Sequence, residues 1–305
     1  MLFLTDTNTR IGVIGVPGGW SSEKLADVMA ARTGARSLID MGRVDANLSS
    51  GEVLFEGIDL STFDALVVKK IDSVYSPSDL NRLEILRFLE AKGVAVFSRP
   101  DNLLRLVNRL ACTVTLRNAG VSMPETVFVE DVDAAIRAVI EFGRAVLKPL
   151  YSSKARGMMV VDSRETGWQD TVHKFKTDNK VIYLQKMVDI PGRDLGVVFL
   201  GGRYLATYAR VTGGGSWNTT RLSGGKYEAH EPCREVLEIA EQAQAPFGLD
   251  FTCVDVVETV EGPKVFEVSA FGGFRGLLEA NGIDAANLLA DYVISEVRNL
   301  KAGAA

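Results

Sequence analysis

Along the first hundred positions, short unbroken apolar blocks alternate with longer stretches in which apolar residues fall every third or fourth place. RIGVIGV (10–16) is such a block, broken by Pro17, Gly18 and Gly19. The stretch after it opens on Ser21 and Ser22, either of which can cap a helix, and puts Leu25, Val28 and Met29 on one face. DALVVKK (64–70), an amphipathic stretch near 78–92 stopped by Gly93, and VAVFS repeat the alternation. Strands buried on both faces and separated by helices predict a parallel sheet, so residues 1–98 are expected to form an N-terminal α/β domain with Pro100 near its boundary.

From Asp101 the pattern changes toward α+β. A helix is expected over 103–120, then a strand TVFV, a helix DVDAAIRAVIEFG and a strand RAVLKPL that ends near Lys148. The polar, basic loop YSSKARG follows, long enough to fold over a ligand, and then MMVV, a helix near 166–177 and the strand VIYLQKM. LGVVFL and RYLATYAR are joined by Gly201 and Gly202, a two-residue hairpin signal. VTGGGSWNTTRLSGGKY is too polar and glycine-rich for a core element and reads as a functional lid. A helix over 231–245 precedes two alternating strands, DFTCVDVVE and KVFEVSA, separated by TVEGP. Residues 99–187 and 188–305 are read as a central and a C-terminal subdomain.

That last hairpin carries the candidate chemistry. If Glu258 and Lys264 close the turn, counting three residues back along each strand sets Asp255 opposite Glu267 on one face. Opposed like charges among valines and a phenylalanine are unfavourable unless something positive lies between them. Ser269 falls on the same face two residues on, and two carboxylates with a hydroxyl make a hard oxygen site suited to Mg²⁺ or Mn²⁺. The competing reading is an edge hairpin whose acids face water. Lys148 and Arg210 weigh against it, since each ends an apolar strand beside a polar or glycine-rich loop, where phosphoryl transfer needs fixed positive charge.

Bulk properties narrow the partners. The 305 residues are 47% apolar, enough for substantial cores, and the formal charge is −5. Without a basic footprint, neither nucleic acid nor an anionic membrane is expected as a partner, and MLFLTDTNTR lacks the form of a signal peptide, so a cytoplasmic protein is expected. Cys112, Cys233 and Cys253 lie far apart and read as buried apolar fillers, while His173 and His230 read as surface residues. Histidine triads and zinc sites therefore have little material. Gly12, Gly15, Gly18 and Gly19 do not reproduce GxGxxG, which leaves a nicotinamide-linked oxidoreductase with slight support.

The order of AVLKPLYSSKARGM, YLQKMVDIPGRDLGVVFLGGRYLATYAR, WNTTRLSGG, LDFTCVDVV and VFEVSAFGGFRGLLEANG resembles the ATP-grasp superfamily, in particular its RimK-type amino-acid ligases. The pair GGGSWNTTRLSGGKY and EVSAFGGFRG looks closest to the ATP-grasp proteins of the GAK system. The resemblance implies an ATP-grasp fold and an ATP-dependent ligase that makes an acyl phosphate from a carboxylate, joins it to an amine, and releases ADP and phosphate. It implies Lys148 on the nucleotide phosphates, Gln185, Lys186 and Met187 at the hinge that reads adenine, and Asp194 on the ribose. Arg210 would steady the transferring phosphoryl group, and Asp255 and Glu267 would hold magnesium.

This chain also departs from the family. Arg109 in VNRLAC stands where a lysine is usual, a planar fork in place of a point charge. Ser269 stands where the family's E-x-N has an amide, and Thr220 where an asparagine is common. Arg275, after Gly272 and Gly273, is the candidate for holding a substrate carboxylate. The acceptor is left open between a small amine and a protein or peptide, as is assembly into a homo-oligomer. The rival reading is an ATP-grasp module that binds nucleotide or a partner without ligating anything.

Overall fold

The computed structural model describes residues 9–153, 155–212 and 225–304. The segment WNTTRLSGG with Thr220 lies almost wholly outside the described residues, as does Lys154 of YSSKARG. The first part of the chain runs β1 (Ile11–Ile14), α1 (Trp20–Thr33), β2 (Leu38–Ile39), β3 (Val44–Asn47), β4 (Glu52–Phe55), β5 (Ile58–Asp59), β6 (Ala65–Val68), α2 (Ser78–Ala91) and β7 (Ala95–Phe97). Its main sheet has the order β2-β1-β6-β7, and every pairing in it is parallel. The small antiparallel sheet β3-β4-β5 was not expected. Its strands are short and mostly exposed, so their apolar residues show no sustained alternation.

Next come α3 (Pro100–Val107), α4 (Arg109–Asn118), β8 (Thr126–Val129), α5 (Val132–Phe142), β9 (Arg144–Leu147), β10 (Met159–Asp162), α6 (Trp168–Asn179) and β11 (Ile182–Lys186). The single helix expected over 103–120 is two helices. Asn108 takes an extended conformation, and its Oδ1 accepts hydrogen bonds from Leu110 and Ala111, capping α4 where the periodic pattern runs on unbroken. The four strands form an antiparallel sheet in the order β10-β9-β11-β8. Together with α5 and α6 they enclose a core of their own, around Trp168, Phe175, Leu147 and Leu184.

The last part comprises β12 (Arg193–Leu200), β13 (Arg203–Val211), β14 (Lys226–Ala229), α7 (Arg234–Gln244), β15 (Phe251–Thr259), β16 (Gly262–Ser269), α8 (Phe274–Asn281) and α9 (Ala285–Ala304). Its sheet, β14-β13-β12-β15-β16, is antiparallel. Leu200 pairs with Arg203 across Gly201 and Gly202, both at positive φ, which is the tight hairpin expected. Val197, Val254 and Val256 face α7 in one core, whereas Val198, Tyr208 and Cys253 face α8 and α9 in another. Both of these cores continue into the N-terminal part. The first takes in Leu66 and Leu86, and the second takes in Ile11, Leu25 and Met29. The first and last parts therefore pack as one body, with the middle lobe set on it.

Candidate active site

The acidic hairpin has the pairing expected, reached by another route. Its turn is two residues, not five: Thr259 pairs with Gly262 and Glu258 with Pro263, so Glu258 and Lys264 do not close it. That register alone would put Asp255 opposite Phe266. A β-bulge between Asp255 and Val256 adds one residue on β16, and Asp255 comes to lie opposite Glu267. Ser269 lies opposite Cys253 on the same face. The residue spent in the bulge, Phe266, has its ring 5.4 Å from the amino group of Lys148.

Each acid meets an arginine. Arg210 Nη2 is 2.9 Å from Asp255 Oδ1, and its Nε lies 3.0 Å from Asp194 Oδ2. Arg210 and Asp194 are ladder partners on β13 and β12, and the guanidinium reaches across β12 to Asp255 on β15. Gly196, the partner of Asp255 on β12, is needed there. A Cβ would come within 2.5 Å of the Tyr208 ring, which forms the floor beneath Arg210. Burial works against the Arg210 cation, but Asp194 and Asp255 outweigh it and hold its pKa well above the usual range. Asp194 is 5% exposed and bound to Arg210, so it is placed to orient that arginine.

Glu267 Oε2 accepts from Arg109 Nη1 at 2.8 Å. Arg109 is 8% exposed; its Nε donates to the Pro149 carbonyl and its Nη2 to Ser152 Oγ. Asn108 Nδ2 adds a bond to the Tyr151 hydroxyl, so the start of α4 holds the first residues of the YSSKARG loop against the acid strand. Farther along that loop, Arg156 Nη1 donates to the Ser73 carbonyl at 3.1 Å.

Lys148 stands across from the acids. Its amino group donates to Gln185 Oε1, and Gln185 Nε2 in turn donates to Thr126 Oγ1 at 3.1 Å. Burial pushes the Lys148 amino group down to about 7, with the Arg109 cation adding to the shift and Glu267 opposing it. Burial likewise pushes the Asp255 carboxyl up to about 6, with Arg210 pulling it down and Glu267 and Asp194 pushing it up. Two carboxylates, two guanidiniums and one lysine thus form a partly solvent-accessible centre, the charge arrangement expected for holding polyphosphate.

The donor set fits a divalent ion. The bonds just described engage Oδ1 of Asp255 and Oε2 of Glu267, and among the described residues none engages Oδ2 of the first or Oε1 of the second. No cluster of three or more His, Cys, Asp or Glu side chains able to hold a metal occurs among the described residues. An all-protein cage is therefore not what these residues make. They suit an ion held by two carboxylates and by substrate oxygens, the usual habit of Mg²⁺.

The remaining expected residues lie outside this centre. Arg275 stacks over the Trp20 ring at 5.0 Å and stands 3.9 Å from Glu279, with no contact to the acids among the described residues. Lys186 pairs with Glu125, and the N–H groups of Lys186 and Met187 donate to the carbonyls of Glu125 and Arg144. Cys112 and Cys253 are buried as expected, but Cys233 is exposed, because it sits at the start of α7 and not on its inner face. His173 is exposed and His230 half-buried. Sequence reasoning missed Tyr75, which packs edge-on against Phe271 at 6.0 Å and is close enough to Glu267 to feel its charge. The signal was positional, since Tyr75 follows the carboxyl end of a parallel strand, where such folds place their ligands.

Comparison with known proteins fits this geometry. The RimK-like ATP-grasp domain family matches residues 107–293, more than half of the chain. The tetrahydromethanopterin:alpha-L-glutamate ligase of Methanosarcina acetivorans is 28% identical over 93% of this chain and 98% of its own length. Among solved structures, the ATP-grasp ligase PsnB, complexed with a variant precursor, Mg and ADP, superposes with a TM-score of 0.73 at 20% identity, covering 96% of this chain and all of PsnB. The D-cycloserine synthetase DcsG gives a TM-score of 0.67 at 16% identity, covering 94% of this chain and 99% of its own. Among the described residues no helix is long and apolar enough to cross a membrane. The chain belongs to the RimK-like ATP-grasp family and is an ATP-dependent ligase that joins a carboxylate to an amine.

Proposed function

We propose that phosphoryl transfer takes place at the centre of Asp255, Glu267, Arg210, Arg109 and Lys148, and that the amine it serves is an amino acid carrying an extra carboxylate, of the glutamate type. The observation that carries the first part is the pairing of two half-buried carboxylates on neighbouring strands, each with its own arginine, facing a half-buried lysine. The name of the Methanosarcina relative motivates the second, together with Arg275 at the turn beyond the acid strand.

In this reading Lys148 and Arg109 bind the phosphate oxygens of ATP, and Gln185 aims Lys148. Lys186 and Met187 line the adenine end, where the next backbone donor along the chain is the N–H of Val188. Asp255 and Glu267, with Ser269 beside them, would hold Mg²⁺ or, with the same oxygen preference, Mn²⁺, which would supply neutralisation of phosphate charge. A substrate carboxylate oxygen attacks the γ-phosphorus as the bond to ADP breaks, and Arg210 offsets the charge on the transferred group. The amine nitrogen then attacks the acyl carbon, loses a proton, and expels phosphate. Asp194 acts as the anchor of Arg210 in place of the ribose contact implied by the resemblance.

Carboxylic acids labelled with ¹⁸O, offered with ATP, Mg²⁺ and a panel of amines, test this directly. One labelled oxygen per turnover should appear in the released phosphate, with glutamate and aspartate outperforming neutral amino acids and peptides. ATP binding without label transfer would sink the acyl-phosphate reading, and preference for a peptide amine would sink the amino-acid reading alone.

A further inference from the structure

Lys69 follows β6 directly, on the carboxyl end of the N-terminal sheet, where its backbone N–H donates to the Ile14 carbonyl at 2.9 Å. It is 4% exposed, and no ion pair joins it to a carboxylate among the described residues. Asp250 lines the same small cavity, but its carboxylate takes the Tyr292 hydroxyl at 2.9 Å. What Lys69 has in place of an anion is the carbonyl of Gly272, to which its Nζ donates at 2.6 Å, and the face of Phe274, whose centre lies 4.4 Å away. A buried amine without a counter-ion is a poor stabilising device, and a methionine would fill the same space at no electrostatic cost. The contact is therefore better explained by what Gly272 does.

Gly272 lies in the turn between β16, which ends on Ser269, and α8, which begins after Gly273. The turn is wedged tightly. A Cβ on Gly272 would come within 2.8 Å of the Phe251 ring and 3.1 Å of the Thr252 backbone. Beside it Phe271 meets Tyr75, a second contact from the loop that follows β6. Because the peptide is planar, holding the Gly272 carbonyl also fixes the direction of the Gly273 N–H and the entry into α8, which carries Arg275.

We propose that Lys69 is a positioning residue for the amine half-reaction: by clamping the Gly272 carbonyl it sets the turn 270–273 and Arg275 relative to Glu267 and Ser269. This rests on the ligase reading above. The nucleotide side of the centre, at Lys148 and Gln185, belongs to the middle lobe and does not touch the clamp.

The test is Lys69→Met beside Lys69→Gln in the full chain. In Lys69→Met, kcat/KM for the amine should fall about tenfold or more while affinity for an ATP analogue with Mg²⁺ stays within about twofold. Its melting temperature should be unchanged or higher. Lys69→Gln, which restores a donor without the charge, should recover part of the loss. Hydrogen exchange should quicken at residues 270–276 in Lys69→Met and stay unchanged at 144–148, a readout that does not depend on turnover. Unaltered amine kinetics with unaltered exchange would overturn the proposal. So would equal loss in both variants, or a fall in melting temperature with loss of nucleotide binding. Failure of label transfer in the wild type, with the exchange difference intact, would instead remove the acyl-phosphate reading and leave the clamp standing.

Discussion

Lys148 and Lys69 each follow a short apolar strand, and burial pushes both amino groups down to about 7. Their surroundings differ in kind. Lys148 is held by the Gln185 amide and feels the charges of Glu267 and Arg109, the surroundings the proposed phosphate contact needs. Lys69 is joined to the main chain of a turn, with an aromatic ring over it and no acid paired to it among the described residues. Two residues with the same local signature thus have partners of different kinds: a side-chain amide for Lys148 and a backbone carbonyl for Lys69. The strand pattern alone does not separate them, because the difference lies in what other parts of the chain bring to each amine.

The sharpest way to break this comparison is Glu267→Gln, which removes the acid near Lys148 and leaves the Lys69 clamp alone. Mg²⁺-dependent turnover should fall about 1,000-fold. Circular dichroism and the melting temperature should stay near the wild-type level, since relief of the repulsion with Asp255 offsets the charge lost opposite Arg109, to which the amide can still bond; undiminished turnover would remove the acid centre as the reacting site. Next, Lys148→Met should lower kcat/KM for ATP about 100-fold, whereas Lys69→Met leaves it nearly unchanged. Equal losses for ATP in the two would erase the distinction.

Two arginine variants sharpen it further. Arg109→Lys keeps a point charge beside Glu267 and should cost about tenfold in the KM for ATP, while Arg210→Lys loses the fork shared by Asp194 and Asp255 and should cost more in kcat than in KM. Steady-state kinetics of the pair settles which arginine acts in the transition state.

The smallest effect is on stability. An ordinary lysine, as in the unfolded chain, keeps its proton to about 10.5, while folded Lys69 releases it near 7. Between those values the unfolded state binds more protons, so stability rises with pH across the window, and below about 7 the cost of burial is present in full. Relative to Lys69→Met, the wild type should gain on the order of 2 kcal/mol between pH 7 and pH 9 in urea unfolding. A flat difference would mean that Lys69 titrates as a surface lysine.

Much of the fold was legible, and the reasons differ by region. The parallel sheet could be read because β1 and β6 are unbroken apolar blocks, and the β12–β13 hairpin because Gly201 and Gly202 admit the turn's positive φ. The break at Asn108 could not, since an asparagine in a helical pattern is equally compatible with a surface position until its side chain is seen capping α4. The opposition of Asp255 and Glu267 was reached through a turn one residue out of register, and the bulge at Phe266 supplied the missing residue. A bulge leaves no mark in a pattern of period two except a shifted face. Arg109, Lys148 and Arg210 were recognisable as candidate cations, but which acid each would meet depends on long-range packing. Lys69 and Tyr75 were passed over because nothing local distinguishes them from the end of a strand and the loop after it.

The helix α9 lies against α1, with Lys24 paired to Asp284 just before α9 and Arg32 paired to Asp291 within it, the latter a contact across 259 positions. During synthesis, then, the ribosome releases the N-terminal sheet long before the helix that covers α1 exists. Leu25 and Met29 can pack at once against Val13 and Val67 of that sheet, but the core they share with Leu289 and Val293 is completed only when those residues emerge. Maturation of this enzyme should accordingly be late and nearly all-or-none, with nascent chains that stop short of α9 remaining protease-sensitive along α1.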